Sequence, residues 1–354
     1  FARLAMTEQK LLPSWWLSSG LIEASFAGGE GDESGAALAE SLRFLSLLVA
    51  NALFLQLLAG RLARAVYRRG VSELTAEVPA RRRRRMGWFD RALAGSGPGF
   101  ARPLRLLLAK DLRIFRRDPS QWSQFVIFFG LLGLYFLNLR SFHYNAAYAA
   151  MVGHLNVAVV GLILSTFTTR FVYPMISLEG RRFWILGLMP LHRDQIVWSK
   201  FVFALVGGLV PCAVLVLLSD SMLGLAWPQV LQHEICCLVL CAGLSGIAVG
   251  LGAWMPDLRE PSPAKISSGF GGTLCLVISS LFIMVVVLLA AAPSHLGLLV
   301  RTLGQGGDPA RRILAWIVGP LGSAVCLTLV VAAGVAATLV PLRLGLHAFR
   351  RLEP

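Results

Sequence analysis

The pattern HEICC at residues 233–237 brings together side chains that could bind a metal ion. A zinc-binding helix of the HExxH type needs a second histidine four positions after the first. Cys237 occupies that position, and no further ligand is close in sequence. All six cysteines lie in or beside apolar runs, where small packing residues are usual. We therefore expect no metal site and no disulfide framework.

The glycine-rich stretch GGEGDESG at residues 28–35 invites comparison with a phosphate-binding loop. A Walker A loop needs Gly-Lys followed by Ser or Thr, because the lysine reaches the phosphates. The chain has four lysines, and none of them follows a glycine. A GxSxG nucleophile elbow is also missing. We therefore expect no ATP site, no catalytic residue and no cofactor, so that the chain is not itself an enzyme.

Two polar residues, His154 and Asn156, lie inside an apolar run. Polar groups within a membrane are costly and often functional, so both are candidates for a translocation path. The alternative is a hydrogen bond between neighbouring helices, which the frequency of such bonds in membrane proteins favours.

A charged segment at residues 178–200 separates two apolar runs, and it is rich in both charged and aromatic side chains. It holds too many charges for a membrane span and too much apolar surface for a solvated loop. We interpret it as a segment at the membrane surface that faces a partner in the aqueous phase. Pro190 is predicted to separate its first part from a short helix that leads to Lys200. A second charged break, MPDLREPSPAK at residues 255–265, carries three prolines.

The composition of the chain indicates the kind of fold that holds these residues. The chain has 354 residues, 56% of them hydrophobic and 15% charged, with a mean hydropathy of +0.68. A soluble domain has about 25% charged residues, so we predict an all-α, polytopic transmembrane helical bundle. The chain opens with Phe1 rather than Met, and we expect it to be part of a longer protein.

Apolar runs of about 20 residues predict about seven spans. They cover residues 42–59, 121–139, 147–172, 201–218, 231–254, 267–292 and 313–340. The predicted organisation is an outer-side segment with a candidate interfacial helix at 1–40, then a first span, a basic loop and an amphipathic helix at 41–120. A six-span domain at 121–342 and a basic tail at 343–354 complete it. Ala242, Gly246 and Gly250 predict a close helix-packing face.

Basic residues set the predicted orientation. Most of the 33 lysines and arginines fall in alternate breaks, at 61–120, 170–200, 255–266 and 342–354. The positive-inside rule places these breaks in the cytoplasm and the amino-terminal region outside. The run Arg81–Arg85 fits contact with anionic lipid, and no interleaved aromatic residues support nucleic-acid binding. Residues 100–122 carry leucines at helical spacing among arginines, which predicts an amphipathic helix in the interface.

Three stretches carry a family resemblance: PLRLLLAKDLRIFRRDPSQWSQ, LEGRRFWILGLMPL followed by RDQIVWSKF, and WMPDLREPSPAKISSGFGGTL. They resemble membrane subunits of bacterial ATP-binding-cassette exporters, in the branch whose permease and ATPase are separate chains. The resemblance covers roughly residues 100–290. It implies an exporter permease in the bacterial cytoplasmic membrane that forms a homo- or heterodimer and is driven by a cytoplasmic ATPase.

With that resemblance, the two charged breaks become candidates for ATPase docking, since charges and aromatic anchors often dominate interfaces. The candidate residues are Glu179, Gly180, Arg181, Arg182, Phe183, Trp184, Asp257, Arg259 and Glu260. The alternative is that the arginines bind lipid headgroups while Trp184 anchors the segment in the interface.

Two other functions stay open. An ion-coupled secondary transporter would work without an ATPase, although no inverted repeat is visible. A membrane-embedded enzyme would use His154, His233 or Glu234.

Overall fold

The computed structural model describes residues 13–26, 33–75, 102–139, 146–182, 192–302 and 317–351. Within these ranges the chain is helical apart from short connections and contains no β-strand. Two compact units form, residues 1–86 and residues 87–354.

The first unit is a pair of helices, α1 (Pro13–Phe26) and α2 (Glu33–Thr75). Trp15 packs edge-on against Phe44, with ring centroids 5.5 Å apart. α2 contains the predicted first span, because its part from Gly35 to Arg64 is long and apolar enough to cross a membrane. The helix then continues through the arginine-rich residues, since arginine, alanine and leucine are good helix formers.

The second unit contains eight α-helices among its described residues. They are α3 (Arg102–Arg117), α4 (Pro119–Leu139), α5 (Ala146–Phe167), α6 (Arg193–Leu223), α7 (Trp227–Trp254), α8 (Pro263–Ser268), α9 (Phe270–Thr302) and α10 (Pro320–Arg351). α3 is the predicted amphipathic helix, and it ends where Asp118 precedes Pro119, a position at which helical backbone is disfavoured.

Six helices in the described ranges are long and apolar enough to span a membrane. They comprise Gly35–Arg64, Ala149–Gly180, Arg193–Leu223, Trp227–Trp254, Phe270–Gly297 and Pro320–Arg351. The remaining predicted span coincides with α4, whose apolar part, Gln121–Phe136, is shorter. The all-α polytopic bundle is therefore confirmed, and the chain is a multi-pass membrane protein.

α7 lies at the centre of the second unit and packs against α5, α6, α9 and α10. Its closest neighbour is α10. A Cβ on Gly246 would lie 2.6 Å from the Cα of Thr338, and a Cβ on Gly250 would overlap the backbone of Pro341. Gly345 of α10 approaches the Gly250 backbone in turn. The predicted packing face is therefore confirmed at Gly246 and Gly250, where missing side chains let two backbones meet.

Two predicted outer loops are shorter than expected. α6 runs to Leu223 and α7 begins at Trp227, so most of the loop predicted at 219–229 is helix. Gly224 makes the turn with a φ of +65°, a conformation that glycine adopts without strain. α9 likewise continues through Pro293 to Thr302. The side chains of His154 and Gln232 bond the Ala290 carbonyl three residues before that proline.

Beyond α5 the helix changes its winding rather than ending. Thr168–Val172 forms a π-helical turn, followed by 3-10 turns at Tyr173–Met175 and Ser177–Arg182. Pro174 explains the change, because its ring and missing N–H disrupt regular α-helical bonding. Glycines fix the position of this extension: Gly252 faces the Tyr173 carbonyl and Gly271 faces its hydroxyl group.

Three further boundaries differ from the sequence prediction. α6 begins at Arg193 and continues without a break into the span predicted to start at residue 201. Residues 343–351, predicted as a tail, extend α10, which contains no proline after Pro341. The span predicted to start at residue 267 is interrupted at Gly269, whose extended backbone separates α8 from α9.

We predict that Gly250→Ala lowers the thermal stability of the detergent-purified protein, because the added methyl group overlaps the Pro341 backbone. Overpacking of this kind costs about 1–3 kcal/mol. The matched control is Gly130→Ala, whose Cβ would meet no atom within 4 Å. Equal melting temperatures for the two variants would contradict the close packing of α7 against α10.

Candidate functional site

The two segments predicted to dock an ATPase meet at one end of the second unit. The backbone N–H of Asp257 donates to Ser177 Oγ at 3.1 Å. Gly180 lies against the Leu258 carbonyl so closely that a Cβ would overlap it. The structure therefore brings the 3-10 turn Ser177–Arg182 and the break after α7 into direct contact.

Acidic side chains shape the second of these segments. Asp257 Oδ1 accepts hydrogen bonds from the backbone N–H groups of Arg259, at 3.1 Å, and Glu260, at 3.3 Å. Glu260 Oε1 accepts from the N–H of Ser262 at 3.1 Å. These local bonds satisfy backbone donors in a stretch where prolines prevent a helix. Asp257 and Arg259 are exposed.

Beneath this surface lies a buried ion-pair network centred on Lys200. Its Nζ lies 2.6 Å from Asp111 Oδ1 and 2.7 Å from Glu179 Oε1. Lys110 also donates to Glu179 and lies 3.7 Å from Asp111. The side chains of Lys200 and Asp111 are 3% and 2% exposed, and that of Glu179 is 15% exposed. The four charges balance.

This network changes the role predicted for Glu179. Its carboxylate is engaged by Lys110 and Lys200, so it joins the 3-10 turn to α3 and α6. The sequence treats it as an exposed partner for an ATPase charge. Gly180 also has a structural role, because it allows the contact with Leu258. Arg181 and Arg182 lie in the same turn, whereas Phe183 and Trp184 lie outside the described residues.

An aromatic cluster joins α3 to the bundle next to the network. Phe115 of α3 contacts Phe125 and Phe203, with ring centroids 5.7 and 6.2 Å apart. Phe125 in turn packs on Phe129 and Phe167. Such edge-on and tilted pairs add stabilisation beyond the apolar area they bury. Both a polar and an aromatic contact therefore hold the amphipathic helix in place.

The two candidate path residues bond neighbouring helices. Asn156 Nδ2 donates to Ser219 Oγ at 2.7 Å, and the Tyr135 hydroxyl donates to Asn156 Oδ1 at 3.2 Å. His154 places Nδ1 2.7 Å from the Ala150 carbonyl and Nε2 3.1 Å from the Ala290 carbonyl. The His154 contact with Ala150 lies within α5. The other three are the interhelical bonds that the sequence offers as the alternative to a translocation path.

A second polar cluster surrounds His154. His233 packs edge-on against it, with ring centroids 4.7 Å apart, and His295 lies 6.1 Å away. Nδ1 of His233 lies 2.9 Å from Asp220 Oδ2, and both side chains are 1% exposed. Asp220 Oδ1 and His233 Nε2 are buried without a partner among the described residues.

The His154 contacts have a chemical consequence. A neutral imidazole donates one hydrogen bond, whereas an imidazolium donates two. Both ring nitrogens of His154 face carbonyl oxygens, so both contacts are hydrogen bonds only in the protonated ring. The cluster therefore combines a buried Asp220–His233 pair with a histidine whose two ring nitrogens both face carbonyl oxygens.

The prediction from sequence did not select Asp111, Lys200 or Asp220 as site residues, although the sequence contains signals for the first two. Asp111 lies four positions after Leu107 and four before Phe115, on the apolar face of α3. Lys200 falls on the same buried face of α6 as Ile196 and Ala204. Each is a charge at a core position, which requires a partner of opposite charge. Asp220 was missed because its helix was predicted to end before it.

Comparison with known proteins gives one family. A family model described as "Putative ATP-binding cassette" matches residues 1–354. No curated protein and no solved structure gave a match.

We predict that Lys200→Met strongly destabilises the protein, because it leaves Asp111 and Glu179 buried with one cation between them. Breaking a buried ion pair costs about 3–5 kcal/mol, which thermal unfolding in detergent will detect. The double variant Lys200→Met with Asp111→Asn restores charge balance and should regain part of the loss.

The matched control is Arg350→Met, which removes the exposed pair between Arg350 and Asp194. Exposed pairs contribute little, so its melting temperature should stay near that of the wild type. If Lys200→Met lowers the melting temperature no more than Arg350→Met does, the buried network does not stabilise the protein as we predict.

Proposed function

The chain belongs to the ATP-binding-cassette family whose model matches its whole sequence, and on that basis we propose that it is the permease subunit of an exporter. In this proposal the chain forms the translocation path and a separate cytoplasmic chain hydrolyses ATP. The observation that carries it is the combination of family membership with a multi-pass helical bundle. The chain itself is then a transport subunit and not an enzyme.

The family description names the ATP-binding cassette and not the permease. The assignment of this chain to the permease role therefore needs further support. A phosphate-binding loop joins a strand to a helix and carries Gly-Lys-Ser/Thr. The described ranges contain no strand, and no lysine of the sequence follows a glycine. Six helices suited to a membrane fit a transport subunit. These features favour a permease that receives its energy from a partner.

The joined segments at 177–182 and 257–260 are the surface best suited to receive that partner. A site that transmits force must be stiff as well as exposed. Here the exposed Arg259 and Asp257 belong to a segment that is bonded to Ser177. The turn that follows Ser177 is anchored through Glu179 to α3 and α6. A push on this surface would therefore reach two helices through a buried network.

The remaining parts of the proposal follow the resemblance of the sequence to exporter permeases. The working unit would be a homo- or heterodimer of permease chains in the bacterial cytoplasmic membrane, with lipid around it. Arg181, Arg182, Phe183 and Trp184 would extend the docking surface beyond Glu179 and Gly180. His154 and Asn156 remain candidates for the path between helices.

We predict that a separate ATPase chain of the ATP-binding-cassette type co-purifies with this chain in detergent from cells that express both. Arg259→Glu should lower the recovered ATPase about tenfold, because it places a repulsive charge on the docking surface. Arg181→Glu combined with Phe183→Ala should act in the same direction. Arg43→Glu, an exposed arginine of α2, is the control and should leave recovery unchanged.

Two results would contradict the proposal. One is failure of the wild-type chain to retain any ATPase under conditions where both proteins are folded. The other is export by the purified chain alone, driven by an ion gradient without ATP. Intact binding by the Arg259→Glu and Arg181→Glu variants would instead remove the docking assignment and leave the permease function standing.

An ion-coupled transporter is the second candidate, and the Asp220–His233 cluster is the observation that favours it. Buried ionisable groups in a membrane often mark proton pathways. If protons drive transport, Asp220→Asn in proteoliposomes should abolish substrate movement driven by a pH gradient. Asp194→Asn, at the exposed start of α6, is the control. Dependence on ATP and a partner chain, with no response to the gradient, would exclude this candidate.

A further inference from the structure

The side of α3 that faces away from the bundle carries both basic and apolar side chains. Arg113, Arg116 and Arg117 are exposed. Two large apolar side chains lie among them, with 70% of Leu106 and 49% of Ile114 exposed. A face that meets only water does not need these apolar side chains, and a face that meets only hydrocarbon does not tolerate three arginines. These five residues, which we call the outer face of α3, therefore suit a boundary between water and lipid.

Two tryptophans place α3 at the level of the lipid headgroups. Trp122 lies in the first turn of α4, directly after α3, and is 46% exposed. Trp198 is 41% exposed and lies two residues before Lys200, whose ammonium group bonds Asp111 of α3. Tryptophans are enriched at membrane–water interfaces, because the indole ring suits both phases. Both neighbours of α3 therefore begin at the interface.

The charge of the outer face indicates the kind of lipid that it binds. Asp111 is the only acidic residue between Arg102 and Arg117, and it is buried against Lys200. Asp118, which follows the helix, is half-buried. The exposed charges in the described part of α3 are therefore positive. A guanidinium group matches the geometry of a phosphate group, and an anionic phospholipid presents that phosphate without the cation of a zwitterionic headgroup.

We propose that the outer face of α3 binds anionic phospholipid. The arginines contact the phosphate groups, and Leu106 and Ile114 lie against the upper part of the acyl chains. An acidic protein surface would also match the arginines, but it would leave these two apolar side chains against polar groups. This proposal concerns the chain alone and does not rest on the proposed transport function.

The two arginines at the end of α3 offer the most direct test. Arg116 and Arg117 are adjacent, exposed and in the last turn of the helix. Arg350 and Arg351 form a matched pair, since they are also adjacent, exposed and in the last turn of α10. Arg350 already pairs with Asp194 within the chain. Replacing exposed arginines changes stability little, so both double variants should melt near the wild-type temperature.

The experiment uses the purified chain in a neutral detergent with phosphatidylglycerol that carries a photoreactive group near the headgroup end of one acyl chain. Peptides that cover residues 104–122 should be labelled, and unmodified phosphatidylglycerol should compete about tenfold better than phosphatidylcholine. Arg116→Gln combined with Arg117→Gln should lower this labelling about tenfold, because each arginine near an anionic surface strengthens binding about fivefold and salt screens part of the effect. Arg350→Gln combined with Arg351→Gln should leave the labelling of these peptides unchanged.

Three outcomes would overturn the proposal. Equal competition by phosphatidylcholine and phosphatidylglycerol would mean that the charge of the headgroup is not recognised. The same loss of labelling in both double variants would mean that only the net charge of the chain attracts the lipid. Unchanged labelling in the Arg116 and Arg117 variant, together with lower recovery of the ATPase, would assign the outer face of α3 to an acidic protein surface instead.

Discussion

The ammonium group of Lys200 is the contact on which one end of the bundle depends. It bonds Asp111 of α3 and Glu179 of the 3-10 turn, so a single side chain of α6 joins two elements that are far apart in sequence. A buried charge without partners is very unfavourable. The amphipathic helix and the turn are therefore held in register by the same requirement, namely that no member of the network loses its counter-charge.

Close packing around this network allows a displacement of the 3-10 turn to be transmitted to the helices bonded to it. Tyr173, four residues before Ser177, is enclosed by Gly252 of α7 and Gly271 of α9. The extension of α5 is thus fixed by close backbone contacts on one side and by ion pairs on the other. Packed interiors resist compression and transmit strain. A displacement at residues 177–182 would consequently move α3 and α6 together.

Hydropathy predicted most of the fold because spanning a membrane demands long apolar helices. The same argument placed the charged breaks at one end, where the structure joins Ser177 to Asp257. The hydropathy argument did not predict where several helices end. Asp220 was assigned to a loop because the span was predicted to end at residue 218, yet α6 continues past it and its carboxylate pairs with His233. Pro293 was taken as a helix end, although α9 continues through it to Thr302.

The candidate site was less predictable than the fold, since pairing depends on contacts between residues that are distant in sequence. Asp111 and Lys200 are 89 positions apart, and neither carries a motif. Each shows only that a charge occupies an apolar helix face. Glu179 was predicted to pair with a charge on an ATPase, whereas the partners that the structure gives it, Lys110 and Lys200, lie within the chain. Sequence alone could not distinguish an internal partner from an external one.

The central claim is that the joined segments at 177–182 and 257–260 receive a separate ATPase. Hydrogen–deuterium exchange of the chain, with and without the co-purified ATPase, tests it most directly. The account predicts increased protection of peptides that cover these two segments, and unchanged exchange around Gly224 at the connection between α6 and α7. Protection confined to the α6–α7 connection, or no change in the two segments on ATPase binding, would contradict it.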